Sequence, residues 1–199
     1  MKIVTLKATI RGIRPILMHN GRLRDPLNAH TKALSSAIKK AKTSKADDDI
    51  VDSYRAEFMG GLYYDKKIGP FLPSDNLQAM IVEGARKRKL GKQVDALVQV
   101  TEPEDGSPGY ALQYKGPRDP EKLFEDEAFR ITKSAKVGQA SVMRTRPRFA
   151  EWSVSFGIEI TEGGPTKEQI EEAIEDAGLL IGLGDWTPRY GRFELVSLD

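Results

Sequence analysis

The sequence predicts an α+β fold with a ferredoxin-like, split βαβ core and a large inserted region. Three observations carry that prediction. Residues 2–12 read as a strand, with Ile3, Leu6, Ala8 and Ile10 set among polar neighbours. Residues 149–161 alternate more regularly than any other stretch, and Trp152, Val154, Phe156, Ile158 and Ile160 fall on one face. A helix from 166 to about 180 and a closing strand at 192–198 then complete a strand–helix–strand unit. Between the first strand and this unit the chain is mixed and basic, so the middle reads as an elaboration of the core. An unrelated α+β domain is the second arrangement compatible with this order.

Local signals place the remaining elements. Pro15 ends the pairing of the first strand, and residues 16–21 lead into a loop through Asp25-Pro26. Helical patterns cover about 29–43 and 47–59. Asp47, Asp48 and Asp49 crowd the start of the second, where the helix dipole favours anions, and Gly60-Gly61 stop it. A short strand at 62–65 and a turn at 66–69 follow. Pro73-Ser74-Asp75-Asn76 starts a helix to about Lys89, with Leu77, Met80, Ile81 and Ala85 on one face. Residues 94–100, rich in Val and Leu, read as a strand, 102–109 as a loop and 110–114 as a strand. Asp119-Pro120-Glu121 opens a short acidic helix. Residues 130–148 are polar and poorly periodic until 139–145 suggests extension. Thr166, with Gln169 three residues on, forms a capping box.

The 199 residues are 39% hydrophobic and 30% charged, enough for a core and a solvated surface. No run approaches the roughly 18 apolar residues that span a bilayer, so no membrane partner is expected. The first residues lack the long apolar region of a signal peptide. Cysteine is absent, which excludes disulfides and thiolate zinc sites and suits a cytoplasmic protein. The net charge of +2 hides segregation. Arg130, Lys133, Lys136, Arg144, Arg146 and Arg148 occupy 130–148 with no acid among them. Arg86, Lys87, Arg88, Lys89 and Lys92 form a second basic block, and Lys32, Lys39, Lys40, Lys42 and Lys45 a third. Acids gather at 47–49, 119–127 and 168–176. Such a field fits a polyanion partner, or a head-to-tail homo-oligomer in which one copy's acidic face meets its neighbour's basic face.

The most informative stretch runs from Gly178 to Leu195. An apolar helix end enters a loop that holds Gly182, Gly184 and Gly191 together with Trp186, Arg189, Tyr190 and Arg192. Glycine allows close backbone approach, Arg grips phosphates, and aromatic rings stack on bases. A helix C-cap followed by a turn with its aromatics in the core accounts for the same residues. In an extended 143–149, Arg144, Arg146 and Arg148 would share one face at about 7 Å spacing, a match for successive phosphates of a single strand. Lys133 and Lys136 would lengthen that track. The competing reading is a basic edge strand that discourages aggregation. The run Arg86–Lys89 cannot face one ligand, since successive helical residues are about 100° apart.

Signals for catalysis are few. Gly178-x-x-x-Gly182-x-Gly184 follows no strand and is not a dinucleotide fingerprint, and neither a phosphate loop nor a nucleophile elbow is present. The histidines, His19 and His30, are separated by a loop with Asp25 as the nearby carboxylate, so no metal and no cofactor are expected. His19, ahead of Asn20-Gly21, reads as a turn residue satisfying backbone groups, as an RNA contact, or as a general acid–base group.

Gly182, Gly184, Gly191 and Arg192, set between the last helix and the last strand, resemble the glycine-rich loop of the repeat-associated RNA-binding (RAMP) superfamily. Those ferredoxin-like proteins form CRISPR effector backbones and guide-RNA-processing nucleases. The chain is also similar to proteins common in phages and prophages, through Met18-His19-Asn20-Gly21, Gly116-Pro117-Arg118-Asp119-Pro120, Met143-Arg144-Thr145-Arg146-Pro147 and Gly184-Asp185-Trp186. The superfamily resemblance implies one ferredoxin-like domain over 1–199, with 20–140 inserted as a thumb or finger. It also implies binding of single-stranded RNA, often by a helical stack of subunits. The expected function is therefore non-catalytic binding of single-stranded nucleic acid, with RNA preferred over DNA by resemblance. Lys133, Lys136, Arg144, Arg146, Arg148, Arg189 and Arg192 would hold the backbone, and Trp186 or Tyr190 would stack. Two alternatives stand beside it. One is a metal-independent endoribonuclease using His19, because guide-RNA-processing relatives cleave with a His. The other is a phage protein that binds or mimics a subunit of a host CRISPR complex.

Overall fold

The two segments that alternate best in the sequence pair with each other. In the computed structural model, which describes residues 2–138 and 140–199, the chain runs through β1 (Ile3–Gly12), β2 (Ile16–Leu17), a 3₁₀ turn (Gly21–Arg24), α1 (Ala29–Ser44), α2 (Asp47–Gly61), β3 (Tyr64–Asp65), β4 (Gly69–Leu72), α3 (Ser74–Lys87), α4 (Gly91–Leu97), β5 (Val98–Val100), β6 (Tyr110–Ala111), α5 (Pro120–Glu125), β7 (Arg130–Val137), β8 (Ala140–Phe149), β9 (Ser153–Thr161), α6 (Lys167–Asp176) and β10 (Phe193–Leu198). Met1 and Gln139, the latter the expected start of an extended run, lie outside the described residues. The chain divides into two compact units, one of residues up to 16 with 64–115 and 150–199, the other of 17–63 with 116–149.

In the first unit β1, α3, β5, β9, α6 and β10 follow one another as βαββαβ. The strands pair antiparallel in the order β10-β1-β9-β5, which is the ferredoxin-like arrangement. One face of the sheet is apolar: Leu6, Ala8 and Ile10 of β1 and Val154, Phe156, Ile158 and Ile160 of β9 are all buried. Leu77, Met80, Ile81 and Ala85 of α3 and Ile170, Ala173 and Ile174 of α6 are buried as well. The capping box of α6 is present: Gln169 N donates to Thr166 Oγ1 at 3.3 Å and Thr166 N to Gln169 Oε1 at 2.9 Å. The short β5 is closed off by a side chain. Gln78 donates to Val98 O (3.0 Å) and accepts from Val100 N (2.8 Å), as a neighbouring strand would, which blunts an exposed edge.

Helices α3 and α6 meet at a glycine. A Cβ on Gly84 would lie 1.9 Å from the carbonyl oxygen of Ala173 and 2.9 Å from the Ala177 Cβ. Gly84→Ala should therefore destabilise the protein by about 1–3 kcal/mol, the usual cost of overpacking. In an open helix the same change would stabilise by about 1 kcal/mol. A lower midpoint in urea unfolding is the expected result, and an unchanged or raised midpoint would contradict the close crossing.

Several sequence expectations shift in this unit. Residues 94–100 divide, with helix to Leu97 and strand only from Val98, because Gly91 and Val94, three apart, are the buried positions of a helical turn. The regular stretch 149–161 also divides: β8 ends at Phe149 and β9 begins at Ser153. Trp152 between them is 3% exposed, donates its indole N–H to Arg14 O at 2.9 Å, and crosses Gly12 where a Cβ would sit 2.1 Å from Nε1. Beyond Asp176 the last helix loosens into a π-type turn, Ala177–Ile181.

The region 20–140, expected as one insertion, is divided as well. Residues 64–115 supply α3 and β5 to the first unit, because the sheet needs the apolar face of α3. The second unit holds the β7–β8 hairpin and the helices α1, α2 and α5. Phe58, Leu62, Leu123, Phe124 and Phe149 are buried there, and the Phe58 and Phe124 rings meet edge-on at 5.5 Å. Gly60 and Gly61 fall inside the last turn of α2 instead of stopping it. A Cβ on Gly60 would lie 2.5 Å from Leu23. Arg22 closes that helix: its guanidinium donates to Met59 O (2.6 Å), Leu62 O (2.9 Å) and Gly60 O (3.0 Å), meeting carbonyls that a helix end leaves open.

Candidate nucleic-acid interface

Strands β7 and β8 form an antiparallel hairpin whose register decides which side chains share a face. Lys133 stands opposite Arg144, Ile131 opposite Arg146 and Thr132 opposite Thr145. Arg144, Arg146 and Arg148 do lie on one side of β8 by alternation. The expectation of three accessible guanidiniums is nonetheless corrected at Arg146. That residue is 6% exposed, and its Nη1 donates to Glu57 Oε1 at 2.8 Å. Glu57, on α2 and 4% exposed, also accepts from Thr145 N at 2.8 Å and reaches Arg144 Nη1 at 3.3 Å. Arg146 is thus spent inside the protein, because a buried carboxylate needs a partner of opposite charge. Arg148 is half-buried and donates to Ala128 O at 2.9 Å. Arg144 and Lys133 are half-buried, and Lys136 is exposed.

Like charges directly opposite on paired strands repel. Lys133 and Arg144 set two cations side by side across the hairpin, and the Glu57 carboxylate is shared between Arg144 and Arg146. No local pattern marks Glu57, since an acid on an amphipathic helix ordinarily faces water.

The glycine loop belongs to the other unit and is built as a closed excursion. Leu183 N donates to Gly191 O (2.9 Å) and Gly191 N to Pro15 O (2.8 Å). Gly182, Gly184 and Gly191 have φ of 84°, 90° and 73°. A Cβ on Gly191 would fall 1.7 Å from Leu183 O, so the loop requires glycine there. Trp186, at φ 55°, and Tyr190 are half-buried with ring centroids 6.2 Å apart. Arg189 is exposed. Arg192 is half-buried, its carbonyl accepts from Ile13 N and Arg14 N, and its Nε is buried without a hydrogen-bond partner. The structure therefore gathers the candidate residues into two groups, Lys133, Lys136, Arg144 and Arg148 on the hairpin, and Trp186, Arg189, Tyr190 and Arg192 on the loop.

Other candidates have local roles. Arg88 pairs with Glu172 (3.0 Å) and Asp176 (2.7 Å), which neutralises part of the acidic helix α6. His19 is half-buried next to Asn20, whose side chain accepts from Arg22 N. Burial, and then the nearby Arg22 charge, hold the His30 imidazole below its ordinary range. Among the described residues, no group of three or more His, Asp or Glu is placed to hold a metal ion. No helix there is long and apolar enough to cross a membrane.

No protein-family model and no curated protein matches the sequence. The fold, however, is similar to that of a chain in the cryo-EM structure of the Type III-B Cmr-beta bound to cognate target RNA. The TM-score is 0.53 and the identity 13%, over all of this chain and 60% of that one. The chain thus has an α+β, ferredoxin-like fold and spans somewhat less than two thirds of the neighbour's length.

Proposed function

We propose that the protein binds single-stranded RNA along the β7–β8 hairpin, as a binding protein and not as a nuclease. The observation that carries this reading is the cross-strand cation pair, Lys133 opposite Arg144, beside the ion-pair cluster of Arg144 and Arg146 on Glu57. Arg148 extends that face along β8, and Lys136, which alternation sets on the other face of β7, would meet a strand that passes round the hairpin. The likeness to a chain from an RNA-bound complex supports RNA over other polyanions. Trp186, Arg189, Tyr190 and Arg192 are candidates for contact within their own unit, and Arg189→Ala tests them separately.

Fluorescence anisotropy with labelled single-stranded RNA, single-stranded DNA and duplex, across a salt series, tests the proposal. Tight binding to single-stranded RNA, with log K falling linearly against log salt, is the expected result. No binding at low salt would overturn it. RNA cleavage in EDTA that is lost in His19→Ala would replace it with the endoribonuclease reading.

A further inference from the structure

We infer that a cavity at the start of β7 takes one unstacked nucleobase of the bound strand, an inference that rests on RNA binding by the hairpin. The cavity measures about 460 Å³, within the range of small-molecule sites, and its walls include Tyr54 of α2, Phe124 of α5, Glu127, and Arg130, Ile131 and Thr132 of β7.

Its chemistry selects a base over other ligands. Arg130 is a fixed plate: its Nη1 donates to Phe124 O at 2.9 Å, its Nη2 meets Glu127 Oε1 at 3.3 Å, and its guanidinium lies 4.8 Å from the centre of the Phe124 ring. Phe124 itself is covered, with Arg55 4.6 Å from the same ring centre and only 2% exposure. The stacking surfaces left to a ligand are thus the Arg130 guanidinium and the half-buried Tyr54 ring, both of which suit a nucleobase. Glu127 adds a carboxylate, an acceptor for base N–H groups. A phosphate would meet that carboxylate as a like charge, and an aliphatic ligand would leave both charged heads unmatched.

Position agrees with chemistry. Ile131 and Lys133 share one face of β7, two residues or about 7 Å apart. A base in the cavity would therefore set its own backbone beside the Lys133–Arg144 pair. Neither Tyr54 nor Phe124 stood out in the sequence, because each sits in a helical pattern as an ordinary apolar position.

The test compares an oligouridine 12-mer with a 12-mer of the same ribose-phosphate backbone lacking its bases. Wild-type protein should bind the intact strand more tightly, by about five- to 150-fold, the size of one base–aromatic stack. Tyr54→Leu should remove that preference while leaving the abasic affinity unchanged, and Tyr54→Phe should keep it. Equal binding of both strands by wild type, or a preference that survives Tyr54→Leu, would overturn the inference and leave the phosphate track intact. Binding of neither strand would overturn the proposed function itself. Should Tyr54→Leu not fold, photocrosslinking of 5-iodouridine RNA to wild-type protein decides. Adducts at Tyr54 or within 124–132 support the cavity, and adducts only elsewhere refute it.

Discussion

Glu57→Ala should cost about 3–5 kcal/mol of stability, the usual cost of removing one partner of a buried ion pair, a drop that urea unfolding of the purified variant would show directly. The cost arises from what the change leaves behind. Arg146 is 6% exposed and would keep its charge in a place water reaches poorly, with its 2.8 Å partner gone. Thr145 N, which donates to the same carboxylate at 2.8 Å, would lose its acceptor too. Removing both charges tests this account against a simple loss of packing. In Glu57→Leu/Arg146→Leu no buried charge is stranded, so most of the stability should return. Buried ion pairs replaced by apolar residues of similar size are often neutral or better. A double variant as unstable as Glu57→Ala would mean that the carboxylate matters chiefly through Thr145 and Arg144.

That cluster also shows what the sequence could and could not convey. Alternation put Arg144, Arg146 and Arg148 on one side of a strand, which depends only on the two-residue pleat of an extended chain. Whether that side met water or a carboxylate depended on Glu57, 89 positions from Arg146 in sequence, and no local pattern records such a distance. The core was legible for the complementary reason. Strands β1 and β9 and helices α3 and α6 each carry a periodic apolar face, and burying four such faces leads to the βαββαβ order. Gly84 and Gly12 were not legible, since the need for a missing Cβ appears only once Ala173 and Trp152 are in place. The bounds of the insertion failed for a similar reason. The middle of the chain reads as a mixed elaboration with basic and acidic blocks, yet α3 inside it belongs to the core.

Lys133→Ala/Lys136→Ala should weaken binding of single-stranded RNA about 25-fold at 0.1 M salt. On single strands each neutralised phosphate contributes about 0.7 to the slope of log K against log salt. Losing two contacts flattens the slope by about 1.4, and between 1 M, where the counterion term vanishes, and 0.1 M this amounts to about 1.4 decades. The slope and the affinity must therefore change together, which separates lost phosphate contacts from a general weakening. Lys136 is exposed and Lys133 half-buried, so thermal unfolding of the variant should stay close to wild type. Lys87→Ala/Lys92→Ala removes the same amount of charge from exposed positions in the other unit. If binding follows the hairpin, that control keeps both affinity and slope. Equal losses in the two variants would instead mean that RNA responds only to the overall charge of the chain, and the cross-strand pair would have no special part in binding.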